Sequence, residues 1–216
     1  MNEIERKLHG LAGADAVARS GQAARRTVAR AVSEGVADLW FTSIESPVGD
    51  LLAAGTRRGL VQLAYEDGDR EDLLRGLSAR LSPRMVEAGP ALDDVRRQLE
   101  EYFDRRRRRF ELRLDWSLAP GFRGRVLHAT ADVPYGQVTT YAEVAARAGS
   151  PRGFRAAGNA LGANPLPIVV PCHRVLRAGG HLGGYTGGLG RKRYLLETEG
   201  VLQAGLLDLP PARPRP

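Results

Sequence analysis

The chain has 216 residues, a formal net charge of +7 and a single cysteine. That length holds one medium domain or two small ones with a real core, and one cysteine excludes both a disulfide framework and a cysteine-rich zinc site. A sequence pI near 10.1 points to a polyanionic partner, although charge alone suits a ribosomal or membrane-surface protein equally well.

From the N-terminus, Met1-Asn2-Glu3-Ile4-Glu5 lacks the basic start and apolar core of a signal peptide. No apolar run approaches the roughly 18 residues of a transmembrane helix. A soluble protein of the reducing cytoplasm, without a membrane partner, is expected. Residues 1–37 are rich in alanine, arginine and glycine and form an extension. Val28, Val32, Val36 and Leu39 recur at helical spacing, with Arg25, Arg26 and Arg30 elsewhere on the turn. Such a basic helix can grip DNA or a partner; the alternative is a poorly ordered extension with one docked helix.

Residues 38–117 read as a small α/β domain with a small antiparallel sheet plus helices. Leu39–Ile44, Asp50–Ala54 and Leu60–Tyr65 form a meander joined by the turns Ser46-Pro47-Val48-Gly49 and Arg57-Arg58-Gly59. Helices are predicted over Asp69–Leu81 and Leu92–Phe103. Phe110–Asp115 alternates apolar and polar, as a half-buried strand does. The run Arg105–Arg109 is either a dense phosphate contact or a solvated loop.

Residues 118–204 change character to helices with tight turns. A helix begins at Phe122 and ends at Val133-Pro134-Tyr135-Gly136. A second runs from Tyr141 to Ala148 and closes at Gly149. Ser150-Pro151 has the pattern of an N-cap with proline at the first helical position, opening a third helix to about Leu161. Helix, glycine turn, helix is the helix-turn-helix pattern. The small residues Gly153, Ala156, Ala157, Gly158 and Ala160 suit either close approach to a groove or a helix-packing seam. The tail from residue 205 is proline-rich.

Pro167-Ile168-Val169-Val170-Pro171-Cys172-His173-Arg174-Val175 carries the only thiol. Three β-branched residues between two prolines predict a short buried strand that delivers Cys172 at its end. A lone cysteine after an apolar run is often an inert core residue. A neighbouring histidine can instead lower its pKa or take its proton, directly or through water.

Pro171-Cys172-His173-Arg174-Val175 resembles the active-site signature of the O6-alkylguanine-DNA alkyltransferases, the methylated-DNA–protein-cysteine methyltransferases. Tyr141, Arg155-Ala156-Ala157-Gly158 and Asn164-Pro165 resemble that family in order and spacing. So do Gly183-Gly184-Tyr185-Thr186-Gly187-Gly188-Leu189 and Leu195-Leu196-Glu197-Thr198-Glu199-Gly200. The match is clear from about Pro120 to Val201 and diffuse from about Leu39 to Trp116.

The resemblance implies a ribonuclease-H-like N-terminal domain and a mostly α, helix-turn-helix C-terminal domain. It implies repair of double-stranded DNA, with an O6-alkylguanine flipped out on the minor-groove side and its alkyl group moved irreversibly to the protein's own cysteine. Cys172 is then the nucleophile, His173 takes its proton, and Glu199 orients the imidazole. Tyr141 donates to N3 of the guanine, and Asn164 braces the active-site turn. Arg155 fills the gap left by the flipped nucleotide, with Ala156, Gly158, Tyr141 and Arg152 along the DNA. Pro167, Val175, Gly183, Tyr185, Thr186 and Gly187 line the pocket. No cofactor or metal is implied, and a monomer is expected. Two departures stand out: Phe154 precedes the arginine, where the family has a small residue, and Leu161-Gly162-Ala163 replaces a region where the family tends to be basic. The alternative functions are a non-catalytic alkyltransferase-like damage sensor, which would lack the cysteine, and a thiol hydrolase, for which no oxyanion hole is marked.

Overall fold

The computed structural model describes Arg30, residues 34–68 and residues 70–202. The extension helix expected around Val28 and Val32 and the proline-rich tail lie outside the described residues. The chain divides into two compact units. One takes the chain up to Glu45, Asp50–Arg97 and Leu112–Asp115; the other takes Ser46–Gly49, Gln98–Glu111 and the chain from Trp116 onward.

The first unit is built on a four-stranded sheet in the order β3 (Gly59–Tyr65), β2 (Leu51–Thr56), β1 (Leu39–Ile44) and β4 (Met85–Glu87). Strands β1 (Leu39–Ile44), β2 (Leu51–Thr56) and β3 (Gly59–Tyr65) form the expected antiparallel meander, with Leu39 opposite Thr56 and Leu51 opposite Tyr65. Leu51, Leu52, Ala53 and Ala54 are all buried, so the central strand is covered on both faces. The turn into β3 needs a glycine: Gly59 has φ +135°, and a Cβ there would sit 2.1 Å from the Arg113 carbonyl oxygen. Helix α1 (Arg70–Arg80) buries Leu77.

Two expectations for this unit are corrected. The sheet is mixed, not antiparallel, because a three-residue strand β4 (Met85–Glu87) pairs parallel with β1. Phe110–Asp115 forms no strand. It touches β3 at one isolated bridge, Leu60 with Leu114, and Asp115 is pinned by Thr56 Oγ1 at 2.5 Å and Arg58 Nε at 3.1 Å. Further up the segment, the Gln98 side chain takes the place of a partner strand, its Oε1 accepting from the Glu111 N–H at 2.7 Å.

Helix α2 (Asp93–Phe103) buries Val95, Leu99 and Tyr102, a helical stripe. It ends on Arg105, held at φ 59°. The arginines that follow are largely engaged within the second unit: Arg107 pairs with Glu101 at 2.7 Å, Arg106 with Asp104 at 2.7 Å, and Arg108 lies over the Tyr135 ring.

The second unit holds α3 (Gly121–Ala131), α4 (Tyr141–Arg147), α5 (Phe154–Gly162) and α6 (Gly188–Thr198). The first three pack on one another. Thr140 caps α4 in a capping box with Glu143, whose carboxylate accepts from the Thr140 N–H at 2.9 Å. The glycine expected at the end of α4 is there: Gly149 has φ +79°. The start of α5 is later than expected. Ser150, Pro151 and Arg152 form a turn in which the Ser150 carbonyl accepts from the Gly153 N–H at 2.8 Å, so the proline lies before the helix rather than in its first turn. The small residues of α5 also split: Ala157 and Ala160 are buried, whereas Ala156 faces outward.

Candidate active site

The segment before Cys172 is not the predicted strand. Residues 165–170 form turns, with the Val170 N–H donating to the Leu166 carbonyl at 2.8 Å and the Val169 N–H to Pro167 at 2.9 Å. Ile168 sits at φ 71°, in the left-handed region that a β-branched residue seldom occupies. Leu166, Ile168 and Val170 are fully buried, so packing overrides their extended preference. Cys172–Arg174 then form one tight helical turn, and Val175–Leu176 follow as β6.

Strand β6 runs parallel to β5 (Thr139–Thr140), with Thr139 opposite Val175 and Thr140 opposite Leu176. This short ladder ties the cysteine turn to the start of α4, whose first residue is Tyr141. Asn164 holds the turn from the other side. Its Nδ2 donates to the Val170 carbonyl at 2.9 Å and to Cys172 Sγ at 3.2 Å, and its Oδ1 accepts from the Leu166 N–H at 3.0 Å.

Cys172 is 5% exposed. Burial pushes its thiol pKa up, opposed by the hydrogen bond from Asn164 and the positive charge of Lys192. His173 is fully buried, and its Nε2 lies 2.8 Å from Glu199 Oε1. Burial pushes its pKa down, with the Glu199 hydrogen bond pulling the other way. With Nε2–H donated to the carboxylate, Nδ1 carries the lone pair; it is buried and makes no hydrogen bond to the protein.

Glu199, at the C-cap of α6, is buried and accepts five hydrogen bonds from neighbouring side chains and backbone. Oε1 accepts from His173 Nε2, from Tyr102 Oη at 2.7 Å and from an Arg174 terminal nitrogen at 2.9 Å. Oε2 accepts from Arg174 Nε at 2.8 Å and the Gly136 N–H at 3.3 Å. Burial would raise its pKa, but the hydrogen bonds from His173 and Arg174 win and hold it at about 2.

A cleft of about 430 Å³ opens onto Cys172 and is lined also by Tyr141, Gly158, Arg177, Tyr185 and Thr186. Of the expected pocket residues, Tyr185 and Thr186 line it, and Pro167, Val175, Gly183 and Gly187 do not. Pro167 and Val175 are buried in the turn and in β6, Gly183 is buried beside the phenol of Tyr141, and Gly187 is the N-cap of α6. Tyr141 Oη donates to the Gly184 carbonyl at 3.4 Å. A Cβ on Gly183 would meet Tyr141 Oη at 2.3 Å. Gly183→Ala is therefore expected to displace the phenol and slow any reaction that uses it by tenfold or more, with little change in melting temperature. Thermal melts beside single-turnover rates would check this.

On α5, Arg155 and Ala156 are exposed, as is Arg152 in the preceding turn. Phe154 does not turn into the core: it is 49% exposed, with the Arg155 guanidinium 5.5 Å from its ring centroid. Three functional neighbours were not legible from motifs. Tyr102 reaches Glu199 from 97 positions away. Arg177 lines the cleft. Lys192 is fully buried, donates to the carbonyls of Val175 at 2.7 Å and Gly183 at 3.4 Å, and has its pKa lowered to about 8 by burial. Among the described residues there is no cluster of metal-ligating side chains and no helix long and apolar enough to cross a membrane.

Known proteins match this chain over both halves of its length. The model of the ribonuclease-like domain of 6-O-methylguanine DNA methyltransferase matches residues 39–116, and that of its DNA-binding domain matches residues 121–201. The methylated-DNA–protein-cysteine methyltransferase of Methanosarcina barkeri is 36% identical over 164 residues, covering 74% of this chain and 97% of the relative. The Mycobacterium tuberculosis protein of that name is 38% identical, covering 74% of this chain and 91% of its own. The crystal structure of the M. tuberculosis O6-methylguanine methyltransferase aligns with a TM-score of 0.64 at 36% identity, covering 78% of this chain and 97% of that one. A structure of the same organism's protein in complex with DNA aligns with a TM-score of 0.62 at 36% identity, over 74% of this chain and 92% of that one. With both domain models matched in order and nearly the full length of such relatives covered, the chain belongs to the methylated-DNA–protein-cysteine methyltransferase family.

Proposed function

We propose that this protein repairs DNA by moving the alkyl group of an O6-alkylguanine to Cys172, once and irreversibly. The observation that carries the reading is the pair of contacts Asn164–Cys172 and His173–Glu199 behind a cleft that Cys172 lines, with His173 Nδ1 buried in the thiol turn and making no hydrogen bond to the protein.

The chemistry follows from those groups. A buried thiol with a raised pKa is mostly protonated, so it needs a base. His173 Nδ1 takes the proton, directly or through a water, and Glu199 stabilises the imidazolium that results. The sulfur then attacks the alkyl carbon: the S–C bond forms, the C–O6 bond breaks, and the bonding pair stays with the guanine. Tyr141 donates to N3 of the departing base and offsets that charge. The departing guanine anion takes up one proton, matching the one the thiol gave to His173, and the protein is left with a thioether, which has no leaving group good enough for release. Each molecule acts once.

The alkylated oxygen lies inside the base stack, so the nucleotide must be flipped out to reach the cleft. We assign DNA recognition to α4 and α5 acting as a helix-turn-helix, entering from the minor-groove side. Arg155 takes the place of the flipped nucleotide, while Arg152, Ala156 and Gly158 approach the strand. The Phe154 ring under the Arg155 guanidinium supports a stacking pair rather than a lone cation. Arg152, exposed in the preceding turn, compensates for the absence of a basic residue near Gly162. The domain limits 38–117 and 118–204, a ribonuclease-H-like first domain and a monomeric state are part of the same reading.

The test is intact-protein and peptide mass spectrometry after mixing with a duplex bearing one O6-methylguanine. One methyl on the peptide containing Cys172, saturating at one per protein and absent in Cys172→Ala, is the expected result. Tight retention of the duplex without an adduct would mark a damage sensor, and neither adduct nor retention would overturn the proposal.

A further inference from the structure

Tyr102 lies in α2, within the segment matched by the ribonuclease-like model, yet its hydroxyl is buried against the catalytic carboxylate. It donates to Glu199 Oε1 at 2.7 Å, the same oxygen that holds His173 Nε2 at 2.8 Å. The ring is 1% exposed and is packed by Phe103, Phe110 and Tyr135, with centroids 5.3, 5.3 and 6.0 Å away. An aromatic cluster of this kind fixes where the hydroxyl points.

We propose that Tyr102 is a positioning residue for alkyl transfer, which draws negative charge from Glu199 Oε1 and so limits how strongly the carboxylate pulls on the His173 imidazole. The inference rests on the proposed role of His173 as base. A base must be neutral before it acts, and a buried carboxylate 2.8 Å away favours the charged imidazolium. The other groups facing His173 are Arg174 and Lys192, both cationic, with the Tyr185 ring edge-on at 6.4 Å. Arg174 and the Gly136 N–H share the carboxylate with Tyr102. On Oε1 itself the imidazole is joined by Tyr102 and by an Arg174 terminal nitrogen at 2.9 Å, and of these two Tyr102 is the uncharged donor. Removing its hydroxyl leaves more charge on Oε1, stabilises the imidazolium and moves the loss of the neutral base to higher pH.

The experiment is the single-turnover rate of methyl transfer from an O6-methylguanine duplex between pH 5 and 9, for the wild type and Tyr102→Phe. The acid limb of the variant is expected to move up by about half to one pH unit. Site-specific 3-fluorotyrosine at position 102, a stronger donor that keeps the ring, should move it down. Profiles that coincide in all three proteins would overturn the assignment, whatever happens to the melting temperature. If the wild type transfers no methyl, the proposed function fails separately. Titration of the His173 ring by NMR in the same proteins then decides: a pKa ordered Phe, tyrosine, fluorotyrosine from high to low supports the role of Tyr102, and equal values sink it.

Discussion

Glu199→Ala is expected to cost about 3–5 kcal/mol of folding stability and to slow methyl transfer by about 10²–10⁴-fold. The stability loss comes from what remains. Arg174, whose side chain is 7% exposed, would keep its bond to the Val133 carbonyl and its place over the Tyr135 ring but lose its counter-charge, becoming an uncompensated buried cation. Linkage gives a similar magnitude independently. The carboxyl titrates at about 2 in the folded protein against 4.5 ordinarily, a difference of about 3 kcal/mol. Because the folded pKa is depressed, that stability is present above about pH 4.5 and is lost as pH falls toward 2. Urea midpoints measured at pH 7 and pH 3 should therefore converge between wild type and variant at the acid end. Equal midpoints at pH 7 would show that the five donors do not stabilise the carboxylate. The rate loss is read separately, on protein that is folded at the assay temperature.

The second large effect has two opposite parts. Lys192→Met is expected to raise the melting temperature at pH 7 while slowing alkyl transfer about tenfold. Burial lowers the ammonium to a pKa of about 8 from 10.5. Carrying a charge with a depressed pKa opposes folding below pH 8 and ceases to do so as pH rises past 10.5. Methionine fills similar volume without that penalty and leaves the carbonyls of Val175 and Gly183 short of a donor, so the net gain is about 2 kcal/mol. The thiol loses at the same time: burial raises the pKa of Cys172, and the positive charge of Lys192 opposes that rise. Iodoacetamide alkylation of Cys172 against pH should show its midpoint moving upward in the variant. A protein made both less stable and equally reactive would contradict the argument on both counts.

How far the sequence carried varies from residue to residue. The meander, α1, α2 and the Gly149 end of α4 followed from alternation, periodicity and turn residues, where local preference and packing agree. Cys172, His173 and Glu199 were visible because the spacing of their motifs resembles a known family. Asn164 was visible for the same reason, and the structure adds its bond to the sulfur. The misses occur where tertiary contacts decide. Ile168, Val169 and Val170 have the composition of a strand, yet the side chain of Asn164 and the buried apolar cluster bend them into turns. Ser150-Pro151 has the composition of a helix start, but a Cβ at position 153 would sit 2.4 Å from Ser150 Oγ, and Gly153 lets the chain fold back there first. Strand β4 is only three residues long and too short to show a period. Tyr102 and Lys192 carry no motif, since their importance comes from partners distant along the chain.

Ile168 has a consequence for genetics. Its backbone is kept in an unfavourable conformation by the close fit of Leu166, Ile168 and Val170 in the interior, together with the Asn164 side chain. The thiol is carried on the far side of that fit, so its aim depends on atoms that never meet DNA. Loss-of-function alleles of this protein need not cluster at charged or polar positions. Some belong among the aliphatic residues of the interior, where a shortened side chain lets the turn relax and leaves a stable, DNA-competent protein whose sulfur points the wrong way.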